Sequence, residues 1–257
     1  MLRLRSHIRS RFRGAERFLV MAFVLAALAF LLMGAHPAKA EPASIVSKKL
    51  VALTLDDGPS VYTDDILDVL EQYGARATFC VRGNRVEKYA ELLRRAVEMG
   101  CEVIGHGWNH RELPKLKNDE VRRQLLDTQQ AIADATGVMP PMMYRPPYLS
   151  TSARVMRISE ELGFMVVGWS FAGDSNRETA RGAERTCKVI KNNVYHGAII
   201  LCHDIAQTTK IAMRTVIPDL IDQGYELVTL SQLMEAFGQE IVPGGVWSGV
   251  AKPGGKR

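Results

Sequence analysis

The chain has 257 residues, 47% hydrophobic and 24% charged, which suits one large globular domain or two small ones and excludes a disordered chain. Its formal net charge of +5 is unevenly placed: residues 1–40 hold seven Lys and Arg against one acid, and the rest holds 26 basic and 27 acidic side chains. A nearly neutral body carries no electrostatic footprint for nucleic acid, so no such partner is expected.

The Arg-rich start runs into FLVMAFVLAALAFLLMGA, an uncharged apolar stretch over 18–35, and then into Ala38-Lys39-Ala40. The small residues suit a signal peptidase. The apolar run is long for a signal-peptide core and close to membrane-spanning length. Residues 1–40 therefore read as a signal peptide or as an uncleaved N-terminal membrane anchor with its Arg side inward. Both readings place the body outside the cytoplasm: secreted, at the cell wall or periplasmic, with membrane contact only through an uncleaved segment.

From Lys49 onward, short apolar runs alternate with longer amphipathic ones. The predicted strands cover 50–55, 76–81, 101–105, 141–145, 164–169, 198–202 and 225–230. The predicted helices cover 63–73, 86–99, 118–135, 151–163, 178–193, 208–223 and 231–237. Seven strand–helix units argue an α/β fold with a parallel sheet, one domain over 41–240. Residues 241–257, IVPGGVWSGVAKPGGKR, are rich in Gly and Pro and read as a flexible tail. Cys80, Cys101, Cys187 and Cys202 read as buried free thiols, with a Cys80–Cys101 bridge as the alternative.

The polar residues collect at one edge of this map. Asp56 and Asp57 follow the first strand, His106-Gly-Trp-Asn-His110 the third and Arg145-Pro-Pro-Tyr148 the fourth. Asp174 follows the fifth, and His203-Asp204 the sixth. Parallel α/β sheets and barrels bind ligands at the carboxyl ends of their strands. Asp before Gly is also ordinary turn chemistry, but unrelated turns would not keep choosing that edge. Two His four residues apart, with a carboxylate nearby, suit zinc or another divalent cation with a position left for water. Two adjacent carboxylates then divide the work: one neutralised by a cation, the other left as a base.

The motifs TLDDGP, HGWNH, RPPY and LCH, in this order over roughly residues 49–237, resemble those of the NodB-type polysaccharide deacetylases, carbohydrate esterase family 4. The resemblance implies a deformed (β/α)7 barrel, TIM-barrel-like, and hydrolysis of N-acetyl groups on amino sugars or of O-acetyl groups on other glycans. It implies one divalent metal, Zn²⁺ foremost with Co²⁺, Ni²⁺ or Mn²⁺ as alternatives, on Asp57, His106 and His110. By motif, Asp56 resembles the general base and Arg145 the residue that orients it. Tyr148 resembles the residue whose main-chain N–H holds the oxyanion. Asp174 resembles the acid of the fourth motif, His203 the general acid, and Leu201 a wall of the acetyl pocket.

There are departures from the pattern. Gly107 stands where the family has Ser or Thr to brace the histidine loop. Ser175 stands where Trp is common, and Leu149 where Gly is usual. Other readings stay open at single positions. Asp174 could be a plain turn acid, and Trp108 and Trp169 packing residues. Asp204 could be a helix cap or a residue supporting the site. Two function classes follow. One is a metal-dependent deacetylase of an acetylated glycan: peptidoglycan N-acetylglucosamine first, then chitooligosaccharide or exopolysaccharide. The other is a glycan-binding protein that keeps the fold without turnover.

Overall fold

The computed structural model describes residues 48–174 and 181–252. The candidate export segment and Ser175 lie outside the described residues. In chain order the elements are β1 (Lys49–Asp56), α1 (Thr63–Gln72), β2 (Thr78–Val81), α2 (Gly83–Val86), α3 (Ala90–Glu98), β3 (Glu102–Gly105) and α4 (Asn118–Thr136). Then come β4 (Met143–Tyr144), α5 (Ala153–Glu161), β5 (Met165–Val167), β6 (Phe171–Ala172), α6 (Gly182–Asn193) and β7 (Ile199–His203). The chain continues with α7 (Gln207–Asp222), β8 (Tyr225–Val228), α8 (Leu230–Ala236) and β9 (Val246–Trp247).

The strands pair in parallel in the order β6-β7-β1-β2-β3-β4-β5-β9, while β8 lies beside the first half of β1. Strand periodicity sorts β1 into two faces. Val51, Leu53 and Leu55 pack outward with Ile66, Leu67 and Leu70 of α1 and with Val216 and Ile217 of α7. Ala52 faces inward and meets Cys80, Ile104, Met143, Met165, Val167 and Ile199, contributed by five other strands, with Leu230 and Leu233 of α8. The curled sheet thus has a dry apolar interior. Along the inward face of β1, Ala52 gives way to Thr54 and then Asp56 toward the carboxyl end. On β7, Ile200 and Cys202 belong to the outer cluster, which leaves Leu201 and His203 on the inner face with Ile199. The third cluster fills the gap between α4, α5 and β4–β5, with Leu125, Val155, Tyr144 and Phe164.

Two elements differ from the sequence reading. The predicted strand over 164–169 forms as β5 alone, and β6, which was not predicted, follows it after Gly168–Ser170. The expected flexible tail is corrected for residues 241–252. The Val166 N–H donates to Gly245 O at 2.9 Å, and the Val250 N–H to Gly197 O at 3.1 Å. Ser170 Oγ donates to Ser248 O at 3.0 Å. β5 and β7 leave main-chain groups that need partners, and this segment supplies them. Its glycines are packing requirements here: Gly249 has φ 91°, and a Cβ there would lie 2.8 Å from Ser170 Oγ and 3.0 Å from Gly197 O. All four cysteines are free thiols, so the Cys80–Cys101 bridge is absent.

Candidate active site

Asp56 is the last inward residue of β1, paired in register with His203 on one side and Cys80 on the other. Asp57 then turns off the strand at φ 71°, so consecutive carboxylates point to different partners. Gly58 completes the turn against the carboxylate of Asp204, which a Cβ would meet at 2.2 Å. The Asp204 carboxylate accepts from Thr63 Oγ1 at 2.5 Å, and its main-chain carbonyl accepts from Ser60 Oγ. Asp204 therefore holds the turn from below and is no helix cap, since Ala206 occupies the N-cap of α7. Burial pushes its carboxyl up to about 7.

Asp57, His106 and His110 offer ligand atoms within 4.8 Å of one another. Asp57 Oδ1 lies 3.2 Å from His110 Nε2 and 3.7 Å from His106 Nε2. His106 Nδ1 is 2.7 Å from the Arg145 carbonyl, which can only accept. A proton therefore sits on Nδ1, and Nε2 faces Asp57. Burial pulls the His110 pKa down against the opposing pull of Asp57, so its ring is neutral and able to ligate. Asp57 Oδ1 is buried and has no hydrogen-bond partner. An orphaned carboxylate oxygen facing two imidazole nitrogens fits a divalent cation.

The histidine loop is tied on both sides. The His106 N–H donates to Val81 O at 2.7 Å, and the Gly83 and Asn84 N–H groups donate to Gly107 and Trp108 O at 3.0 and 2.9 Å. Gln124 of α4 replaces the missing hydroxyl brace: its Oε1 accepts from the Trp108 N–H at 2.8 Å, and its Nε2 donates to Asn109 Oδ1 at 3.0 Å. Gly107 has φ 72°, a conformation that disfavours the usual Ser or Thr. Trp108 packs over Gly83, as sequence reading allowed.

Arg145 is fully buried. Its Nη1 donates to Asp56 Oδ1 at 2.6 Å and to Thr54 Oγ1 at 2.8 Å. Nη2 donates to Gly168 O at 2.7 Å, and Nε to Val167 O at 3.3 Å. Trp169 covers the guanidinium, 5.7 Å from ring centre to Cζ. Burial pushes the Asp56 carboxyl up, but Arg145, His106 and His203 outweigh it and hold the pKa below the usual carboxylate range.

Across the cleft, His203 Nδ1 lies 2.7 Å from Asp174 Oδ1. Asp174 Oδ2 accepts from the His203 N–H at 2.8 Å and from Thr209 Oγ1 at 2.5 Å. Burial lowers the His203 pKa, and the Asp174 carboxylate more than reverses that, leaving it raised. Asp174 is thus the partner of His203 and not a plain turn acid. Tyr148, at φ 59° and 68% exposed, sets its ring edge-on to His110 with centroids 4.6 Å apart. Leu201 is buried and paired with Thr54. All nine candidate residues therefore gather at one end of the sheet. Sequence reasoning missed Gln124, Thr54 and Thr209, because a lone Gln on a helix or a Thr in a strand carries no motif.

Residues 43–167 match the family model for polysaccharide deacetylase. A peptidoglycan-N-acetylglucosamine deacetylase of Bacillus cereus is 31% identical over 192 residues, 73% of this chain and 89% of that protein. This chain belongs to the polysaccharide deacetylase family. The peptidoglycan-N-acetylglucosamine deacetylase PgdA of Listeria monocytogenes is 39% identical over 188 residues. That match covers 73% of this chain and only 39% of the Listeria protein, so the chain spans about two-fifths of that relative's length. Among solved structures, a family 4 acetyl xylan esterase from Clostridium thermocellum, in complex with a cobalt ion, superposes with TM-score 0.72 at 36% identity, covering 79% of this chain and 100% of that one. The curled parallel sheet with its helices is the deformed (β/α)7 barrel of these neighbours.

Proposed function

We propose that this protein is an exported, metal-dependent hydrolase that removes N-acetyl groups from amino-sugar residues of a glycan, with peptidoglycan N-acetylglucosamine the foremost substrate. The observation that carries this reading is the orphaned Asp57 Oδ1 beside two imidazole nitrogens, flanked by a carboxylate on an arginine and a histidine on a carboxylate. The relatives that act on peptidoglycan support the substrate. The apolar run before the domain supports export.

Asp57, His106 and His110 would hold one divalent ion, Zn²⁺ foremost. The cobalt-bound relative supports a divalent site. The ion would acidify water and polarise the acetyl carbonyl. Asp56, kept ionised by Arg145, takes the proton from the attacking water. Arg145 has its remaining donors on main-chain carbonyls and Thr54, so it fixes the orientation of Asp56 and contacts no substrate. The main-chain N–H of Tyr148 is assigned to the oxyanion. With Nδ1 held by Asp174, His203 presents its other nitrogen to the leaving group and protonates it. Leu201, on the same face of β7, lies against the acetyl methyl.

An amine leaves only when protonated, so the His203–Asp174 pair favours amide over ester substrates. The acetyl xylan esterase neighbour favours a second reading, an O-acetyl glycan substrate. The test is acetate release from peptidoglycan glycan strands, chitotetraose and acetylated xylan, with and without chelator. Chelator-sensitive release from the first two is expected. Release from xylan alone selects the second reading, and no release from any substrate removes both.

A further inference from the structure

Arg82 directly follows β2 at the carboxyl edge, and the chemistry above leaves it without a task. Its main chain sits between the two loops of the site. The Arg82 N–H donates to Gly58 O at 2.9 Å, one residue past Asp57. The next two N–H groups, of Gly83 and Asn84, donate to Gly107 and Trp108 between the site histidines. The side chain is half-buried. Its Nε is buried with no hydrogen-bond partner, and among the described residues no carboxylate forms an ion pair with it. Arg82 keeps an extended backbone after β2, so alternation places its side chain on the inward face with Cys80, opposite to Val81.

Asp56 is held by Arg145, and Asp57, whose Oδ1 has no hydrogen-bond partner, faces the two histidines as a candidate cation ligand. Several other arginines of this fold have carboxylate partners. Arg95, for instance, reaches three carboxylates within 2.7 Å. Burying a guanidinium N–H without an acceptor is unfavourable. Its planar fork matches a carboxylate bidentately, and one such fork neutralises one negative charge.

We propose that Arg82 is a specificity-determining residue that receives a carboxylate carried by the glycan, on the amino sugar under attack or on its neighbour. The substrate class is an acidic N-acetylated glycan, such as one bearing lactyl-ether carboxylates, rather than a neutral polymer. This inference rests on the deacetylase reading for its substrate, but not for its test.

The experiment compares a tetrasaccharide of alternating N-acetylglucosamine and N-acetylmuramic acid, its carboxyl methyl ester and chitotetraose. For each, kcat/KM and equilibrium binding are measured on the full chain. The native protein is expected to favour the free acid over its ester by about 10- to 100-fold, the usual worth of a charge-assisted hydrogen bond. In Arg82→Gln the ratio of acid to ester should fall to near one, and in Arg82→Lys to an intermediate value. A native protein that treats acid and ester alike overturns the proposal, and that arm needs no variant to fold. An Arg82→Gln protein that keeps the native ratio overturns it equally. If no glycan releases acetate, the deacetylase reading falls, and the binding ratio alone decides the role of Arg82.

Discussion

The Gly168 N–H donates to the Trp247 carbonyl at 2.8 Å, and the carbonyl of the same Gly168 accepts Arg145 Nη2 at 2.7 Å. A strand near the C-terminus is thereby one peptide removed from the arginine that holds Asp56. Trp247 also packs with Trp169 against the inner cluster. Deleting residues 241–257 should lower kcat as well as the melting temperature. Trp247→Ala alone should cost about 1–3 kcal/mol, the range for a partly buried large side chain. Denaturant unfolding and acetate assays check this. A deletion with native stability and rate would return the segment to the status of a loose tail.

Changing His106 or His110 to Ala removes a ligand while Asp57 stays. Affinity for Zn²⁺ should fall by more than about 100-fold, since even residues that only support ligands are worth 10- to 100-fold. Titration calorimetry on chelator-treated protein reads this without turnover. Native stoichiometry and affinity in a variant carrying both His106→Ala and His110→Ala would place the cation elsewhere.

Asp56→Asn keeps the shape but cannot accept a proton, and His203→Ala removes a donor. Each should reduce N-acetyl hydrolysis by about 10²–10⁴-fold, the usual yield of general acid–base catalysis. An acetyl ester with a good leaving group needs little acid assistance, so it should rescue His203→Ala far more than Asp56→Asn. Equal rescue of the two would remove His203 from the reaction.

His203 has to be protonated to act as the acid, and its pKa is raised above the ordinary 6.5 by Asp174 despite burial. Activity should therefore persist above that value and fall as pH rises through the raised pKa. Asp174→Asn removes the anion that stabilises imidazolium, so the alkaline limb should move to lower pH. The pH–rate profiles of the two proteins make the comparison. An unmoved limb would assign it to another group.

Asp204 is buried with a carboxyl raised to about 7 from 3.8. The folded state then holds a proton between those values that the unfolded state has released. Stability should decrease as pH rises from about 4 to 7, by a few kcal/mol at most. Asp204→Asn cannot ionise and should flatten that part of the stability curve, measured on chelator-treated protein. An unchanged slope would show that Asp204 ionises normally.

The seven strand–helix units and the alignment of Asp56, His106, Arg145, Asp174 and His203 with strand ends were legible because both rest on local rules. Hydrophobic period distinguishes strand from helix, and parallel strands all deliver their last residues to one edge. The tail was misread for the same reason: Gly and Pro report backbone freedom, and only the docked edge of β5 shows that this freedom is used for close packing at Gly249. Gln124 escaped because its task depends on α4 crossing behind the histidine loop.

Sequence alone determined which side chains stand at the carboxyl edge and in what order, since alternation along β1 and β7 decides whether Asp56 or His203 faces in. The tertiary structure decided who meets whom. Arg145 and Asp56 are 89 residues apart and touch at 2.6 Å because the sheet curls. Asp174 reaches His203 because β6 lies beside β7. That no carboxylate among the described residues pairs with Arg82 is likewise a fact of space, set by where the fold puts the charges around it.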